Sequence, residues 1–246
     1  MELKYKITDE CKVFGEITLH RIEALKDFND VKKGDKGGYI EKENNLSQYG
    51  DAWVCGNAKV YGDAEVCGDA EVYGDAEVYG DAKVYGDAEV YDNAKLYGDA
   101  WVFGNAKVCG NAKVYDNAKL YGDAWVCDNA KLYGDAWVCG NAEVCGNAKV
   151  CGNAEVCGNA KVYGNAWVYG NAEVYGNAEV CGNADYIVFK NWWSSGRYFT
   201  WTRSNDKWRV GCFYGTGEEL IKKAYQDSET SGKNYEKIVK YVESIK

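Results

Sequence analysis

The chain has 246 residues, 46% of them hydrophobic, with 11 cysteines, no proline and a net charge of −9, which suits a folded protein of one or two domains. It contains no run of eighteen apolar residues, which excludes a transmembrane helix, and its acidity disfavours nonspecific binding to nucleic acid or anionic membrane. The charge is uneven. Residues 1–50 carry nine basic and ten acidic side chains, residues 51–184 nine and twenty, and residues 185–246 eleven and eight. Three parts are expected: an N-terminal cap (1–50), a repeat region (51–184) and a C-terminal α+β domain (185–246), the last being the natural place for an anionic ligand.

The opening Met1-Glu2-Leu3-Lys4-Tyr5-Lys6 lacks the apolar stretch of a secretion signal. A cytoplasmic location follows as the expectation, and with it free thiols. In the cap, Lys12-Val13-Phe14 and Ile17-Thr18-Leu19 flank Gly15-Glu16 as a short hairpin. Lys33 to Gly38 reads as a loop, and Tyr39-Ile40 opens another apolar segment.

From Asp51 to Ala184 one six-residue sentence repeats: Ala-x-Val-Tyr/Cys-Gly-Asp/Asn. The aliphatic slot recurs from Val54 to Val180 twenty-two times, with Leu96, Leu120 and Leu132 as substitutes. Ala and Val two residues apart, alternating with outward residues, give a strand of period two. Gly-Asx then turns the chain, because Gly, Asn and Asp tolerate positive φ; Asp92, Asp116 and Asp128 take the Gly position on the same ground. Three hexads close a triangular coil of eighteen residues, so about seven coils form a rod roughly 35 Å long. Its open ends need covering, which assigns a role to both caps.

This hexad resembles that of the hexapeptide-repeat proteins, whose fold is the left-handed parallel β-helix. The entry segment, Asp27 to Gly38 followed by Asn45-Leu46-Ser47-Gln48-Tyr49-Gly50-Asp51-Ala52-Trp53-Val54, is similar to the bacterial YdcK-like proteins and to prophage-type proteins with Gly-Asn-Ala-x-Val repeats. The resemblance implies an all-β solenoid and brings no established reaction with it. It also implies an accessory protein of a phage or mobile element. The chain departs from the acyltransferase branch of that fold in having no long loop between its coils.

After Asp185 the period stops. Asp185 to Phe189 reads as a strand, Arg197–Thr202 and Trp208–Phe213 as a hairpin, and Thr216-Gly217-Glu218-Glu219 as a capping box opening a helix. Asp227 to Gly232 reads as a loop. Tyr235, Ile238, Val239, Val242 and Ile245 recur at helical spacing.

Candidate sites are few. Transfer of an acyl group needs a base, and the one histidine, His20, lies in the cap, so no catalytic residue and no cofactor are assigned. Cysteines at eighteen-residue spacing form columns, Cys109, Cys127 and Cys145 in one and Cys139 and Cys157 in another. No Cys-x-x-Cys occurs, so no metal site is assigned. Asp63, Asp81 and Asp99 share a corner column, and a corner role accounts for them because every corner from Asn141 onward is Asn.

Two surfaces remain. Tyr61, Tyr79, Tyr97, Tyr115 and Tyr133 stack on one face beside Lys95, Lys113, Lys131 and Lys149, either as a structural ladder or as a partner-binding or self-association surface. In the C-terminal part, Arg197, Tyr198, Trp201, Arg203, Trp208 and Arg209 have the chemistry to stack a base and hold a phosphate; the alternative is a hairpin core with solvated arginines.

The function expected is therefore non-enzymatic binding, sequestering a host factor or a nucleotide-like anionic signal against a defence response. An acidic rod that mimics nucleic acid for a basic host protein is the second reading, and a trimeric acyltransferase the third. A dimer or trimer is expected, with no membrane contact and no direct nucleic-acid binding by the rod.

Overall fold

The computed structural model describes residues 2–246; Met1, the first residue of the expected cap, lies outside the described residues. Each hexad forms a two-residue rung such as Lys59–Val60, with the preceding Ala and the Val wholly buried, as at Ala58 and Val60. At each corner the chain passes through positive φ, 68° at Gly98. A methyl group there would lie 2.9 Å from the amide nitrogen of Asp116 on the next coil, so both the dihedral and the close approach require Gly. Asp92, Asp116 and Asp128 adopt φ of 60°, 58° and 58°. Each stands one coil before a Gly, and each carboxylate accepts from that Gly amide, 3.1 Å from Asp92 to Gly110.

Successive rungs stack in parallel at intervals of eighteen residues, Lys95 opposite Lys113 and Leu96 opposite Val114. Three sheets result, of ten, eight and seven strands, and they close a β-solenoid of about eight turns. The extra turn comes from the segment before the repeat. Strand β3 (Lys36–Ile40) pairs in parallel with the Lys59 rung, Ile40 opposite Val60, and Leu46 bridges Val66. Both pairs are twenty residues apart, so the six-residue register does not reveal them. Ahead of them β1 (Tyr5–Phe14) and β2 (Ile17–Ala24) form the expected hairpin.

Every rung points its amides one way. Lys59 N donates to Ala76 O at 2.9 Å and Tyr61 N to Val78 O at 3.0 Å, so carbonyls face the N-terminal end and N–H groups the C-terminal end. Buried or unpaired, such groups are costly, and the two ends are closed with opposite chemistry. At the carbonyl end the fully buried Lys4 donates from Nζ to Ala52 O (2.8 Å) and Gly50 O (3.2 Å). Asn45 Nδ2 donates to Ala64 O and Gly62 O. Burial pushes the Lys4 amine down to about 8.

At the amide end the caps are acceptors. Thr200 Oγ1 receives Glu173 N at 2.8 Å, Ser204 Oγ receives Glu179 N at 2.7 Å, and the Asp185 carboxylate receives the amides of Cys181 and Gly182. Burial works against ionisation of Asp185, but those hydrogen bonds, one from the Cys181 thiol and the nearby Arg203 outweigh it and hold the carboxyl below its usual range.

The C-terminal part is a four-stranded antiparallel sheet with two helices. Its strands are Tyr186–Lys190, Tyr198–Thr202, Lys207–Val210 and Phe213–Gly215. The strand expected over Trp208–Phe213 breaks at Gly211, whose φ is 56°, and returns as the last one. Phe199, Trp201 and Trp208 pack on the helices α1 (Gly217–Asp227) and α2 (Glu229–Ile245). Thr200 and Arg209 face the last coil. The capping box at Thr216 forms. The loop expected over Asp227–Gly232 shrinks to Ser228, which ends α1 and whose hydroxyl caps α2 by accepting from Ser231 N. The two helices pack so closely that a methyl on Gly232 would meet the Tyr225 ring.

The free-thiol expectation is corrected for four cysteines. Cys127–Cys145 and Cys139–Cys157 are disulfides between adjacent coils. In-register stacking brings their Cα atoms to 4.8 and 4.7 Å, within bridging distance. The other seven are free.

Candidate functional site

The rungs of the Lys59 face align the outward side chains into two columns. In the first, the rings of Tyr61, Tyr79, Tyr97, Tyr115 and Tyr133 lie 4.9, 5.1, 4.8 and 5.1 Å apart, within 7° of parallel. Phe14 of the N-terminal hairpin covers the first ring at 5.6 Å. Because the rings face one another, the column offers edges and hydroxyls outward rather than open aromatic faces. Burial in the stack raises the phenols; Tyr97 is pushed up to about 12, with its tyrosine neighbours adding to the effect.

The second column begins as an ion ladder. Glu77, only 9% exposed, takes Lys59 Nζ at 3.1 Å and Lys95 Nζ at 2.9 Å. Burial opposes its charge, but the two ammonium groups prevail and hold its carboxyl below the usual range. Lys95 is thus tied inward. Lys113 and Lys131 sit directly opposite each other on the next rungs and form no ion pair among the described residues. Lys149 follows, its Nζ 5.4 Å from the Trp167 ring. The face therefore presents a tyrosine edge flanked by two uncompensated cations.

Elsewhere on the rod the lysines are engaged. Glu89 pairs with Lys107 at 2.7 Å and Glu143 with Lys161 at 3.3 Å, while Lys119 lies 5.2 and 5.3 Å from the rings of Trp101 and Trp137. Asp63 is bound by Lys42 at 2.6 Å. Among the described residues no group of three or more His, Cys, Asp or Glu has metal-site geometry. His20 lies in β2 opposite Cys11 and Ile40.

The six C-terminal residues proposed for a ligand do not share one surface. Trp201 and Trp208 are buried in the helix-facing core, and Trp201 Nε1 donates to Asp206 at 2.8 Å. Arg209 docks the sheet on the rod, its Nε 3.1 Å from Glu173 and its guanidinium 4.2 Å over the Tyr175 ring. Arg203 is exposed beside Asp185. Tyr198 opens the inner strand Tyr198–Thr202, opposite Lys190, whose Nζ lies 5.4 Å from the tyrosine ring. Arg197 lines a cavity against α1 and α2, Tyr198 a separate one beside Tyr169 and Tyr186, and Trp208 a third beside Val239 and Lys246. Sequence reading also missed the asparagine ladders at the corners: Asn111 donates to Asn129, Asn129 to Asn147 and Asn147 to Asn165, each at 3.2 Å. Writing the chain in rows of eighteen exposes that signal.

No protein-family model matches the chain. Over 59 residues it is 36% identical to an Escherichia coli (strain K12) protein described as an uncharacterized acetyltransferase, YdcK, a stretch covering 21% of this chain and 18% of that relative. The chain thus matches under a fifth of the relative's length. Together with the stacked hexads, the match fits a hexapeptide-repeat β-helix protein.

Proposed function

We propose that this protein works by binding, with the tyrosine–lysine face as a platform for an extended acidic partner. The observation that carries this is the pair Lys113–Lys131, adjacent cations without a carboxylate on an otherwise acid-rich rod. The parallel stack fixes the spacing of the side chains along the face, so no backbone ordering is needed on engagement. Like charges on both partners disfavour pairing this face with itself. The finer form, a phage or mobile-element protein that sequesters a host factor to blunt a defence response, draws on the resemblance of the repeat. The test is fluorescence anisotropy with a labelled oligoglutamate, using a labelled single-stranded oligonucleotide as comparison. Binding of the oligoglutamate that weakens with salt and at least tenfold in the double variant Lys113→Glu/Lys131→Glu supports the reading. No binding, or binding indifferent to that variant, defeats it.

A second reading, transfer of an acetyl group, is favoured by the description of the matched relative. Its requirement is acetyl-CoA binding, measured by calorimetry, and an acceptor turned over in a manner sensitive to a base. Absence of both in the intact chain removes it.

A further inference from the structure

A cavity of about 350 Å³ opens in the C-terminal part, between the 191–197 loop, the Gly211 turn and the facing sides of α1 and α2, a size in the range of small-molecule sites. Its walls are of two kinds. Val210, Phe213, Leu220 and Ala224 form an apolar floor, and Arg197, Lys223 and the Asp227 carboxylate stand at the rim. Arg209 is committed to Glu173 and Arg21 to Glu10, whereas Arg197 makes no ion pair among the described residues. Lys223 is only loosely tied to Asp227, at 3.9 Å between two exposed side chains, a contact worth little.

The loop that carries Arg197 is held in place from inside. Asn191 is 5% exposed; its Nδ2 donates to the Tyr235 hydroxyl at 3.0 Å, and its Oδ1 accepts from the Ser194 amide and hydroxyl at 3.0 and 3.1 Å. Its backbone closes the loop, with Gly196 N donating to Asn191 O at 2.7 Å and Asn191 N to Arg197 O at 2.8 Å. Such fastening to the buried face of α2 fixes the mouth before a ligand arrives, which is where affinity is otherwise lost.

The geometry points to a binding site for a small organic anion: a carboxylate or phosphate head between Arg197 and Lys223, and an apolar body on the Val210–Phe213–Leu220–Ala224 floor. Arg supplies the planar fork that matches such oxyanions. A nucleotide fits less well, because Trp201 and Trp208, which could have stacked a base, are spent in the core. This site is separate from the rod's tyrosine–lysine face, so either can fail without the other.

The test is calorimetry on the full chain with octanoate, octyl phosphate, octanol and adenosine monophosphate, together with site-resolved alkylation of Cys212, a free exposed thiol at the cavity. Binding of octanoate or octyl phosphate is expected, and which one binds more tightly identifies the head group. Arg197→Gln is expected to weaken it at least tenfold and Lys223→Gln by a smaller factor, with unchanged thermal stability because both side chains are exposed. Ligand is expected to slow alkylation of Cys212 but not of Cys11. A filling variant, Ala224→Leu, is expected to abolish binding. Silence from both anions, octanol binding as well as octanoate, adenosine monophosphate binding more tightly than either, or affinity untouched by Arg197→Gln would each overturn the assignment.

Discussion

The two halves of the rod share one backbone and one interior but dress their corners and rungs differently. Toward the N-terminal end, corners stack aspartates such as Asp63, Asp81 and Asp99, and rungs stack Glu on Lys, as in Lys59–Glu77–Lys95. From Cys127 onward two disulfides tie neighbouring coils, and from Asn141 each corner is Asn, with Asn141, Asn147, Asn153 and Asn159 each donating to the asparagine one coil on. Aspartate can turn the corner but cannot donate to its neighbour; asparagine does both. One half therefore leans more on charges, which respond to salt and pH, and the other, which keeps the Glu143–Lys161 pair, more on neutral and covalent ties, the latter responding to reductant.

The sharpest check of the shared interior is to cut it equally in both halves. Leu96 and Leu132 are both wholly buried in the Val slot. Leu96→Ala and Leu132→Ala are each expected to cost about 2–5 kcal/mol and to match closely in urea unfolding. A large disparity would mean that the halves differ inside as well as outside. Breaking the disulfides acts on one half only. Each closes a coil with a sequence separation of 18, so the double variant Cys127→Ser/Cys139→Ser is expected to lose about 3 kcal/mol per bridge by chain entropy. Hydrogen exchange should rise in the coils from Cys127 to Cys157 and stay unchanged near Tyr61. Uniform loss of protection along the rod would contradict this division.

Alkali should reverse the pattern. The stacked phenols Tyr61, Tyr79, Tyr97, Tyr115 and Tyr133 all have raised pKa values, with burial the leading cause except at Tyr133, where the hydrogen bond with Cys151 comes first. A group whose folded pKa lies above its unfolded value stabilises fully below the latter and loses that contribution as pH climbs. Stability is therefore expected to hold up to about pH 10, the ordinary tyrosine value, and to fall through pH 12, with exchange rising first in the coils from Tyr61 to Tyr133. Lys4 works the other way between about 8 and 10.5, since its folded value is the lower one. Deprotonating one buried amine thus adds stability just before the phenols remove it.

Much of this was legible from the residues. Alternation of Ala and Val gave the rungs, and Gly-Asx gave the corners, because both are local demands of the backbone. What escaped was set by residues far apart in sequence. The added turn at Ile40 and Leu46 keeps the stacking but not the spacing. Arg209 resembles a ligand-binding arginine until the sheet docks on the last coil and brings it to Glu173. Arg197, from the same aromatic-basic stretch, keeps its charge free because it faces the helices' side of the sheet. The close packing of α1 on α2 where Gly232 meets the Tyr225 ring is likewise an event that no periodicity announces.

The smallest effect isolates the corner chemistry itself. Asp81→Asn places in the charged half the residue that the neutral half uses, between Asp63 and Asp99 of the same column. The backbone does not change, since Asn turns the same corner from Asn141 onward. Two like-charge contacts are removed, and the new amide gains Asp99 as an acceptor, as Asn117 already donates to Asp135 at 3.0 Å. A gain of about 0.5 kcal/mol is expected at low salt, shrinking as salt screens the repulsion that the substitution relieves. The reverse exchange, Asn147→Asp, removes the donor to Asn165 and should cost about 0.5–1 kcal/mol. If both substitutions instead destabilise by similar amounts, the aspartate columns contribute something beyond turning the chain, and the N-terminal half would have to be read as an acidic surface kept for a partner.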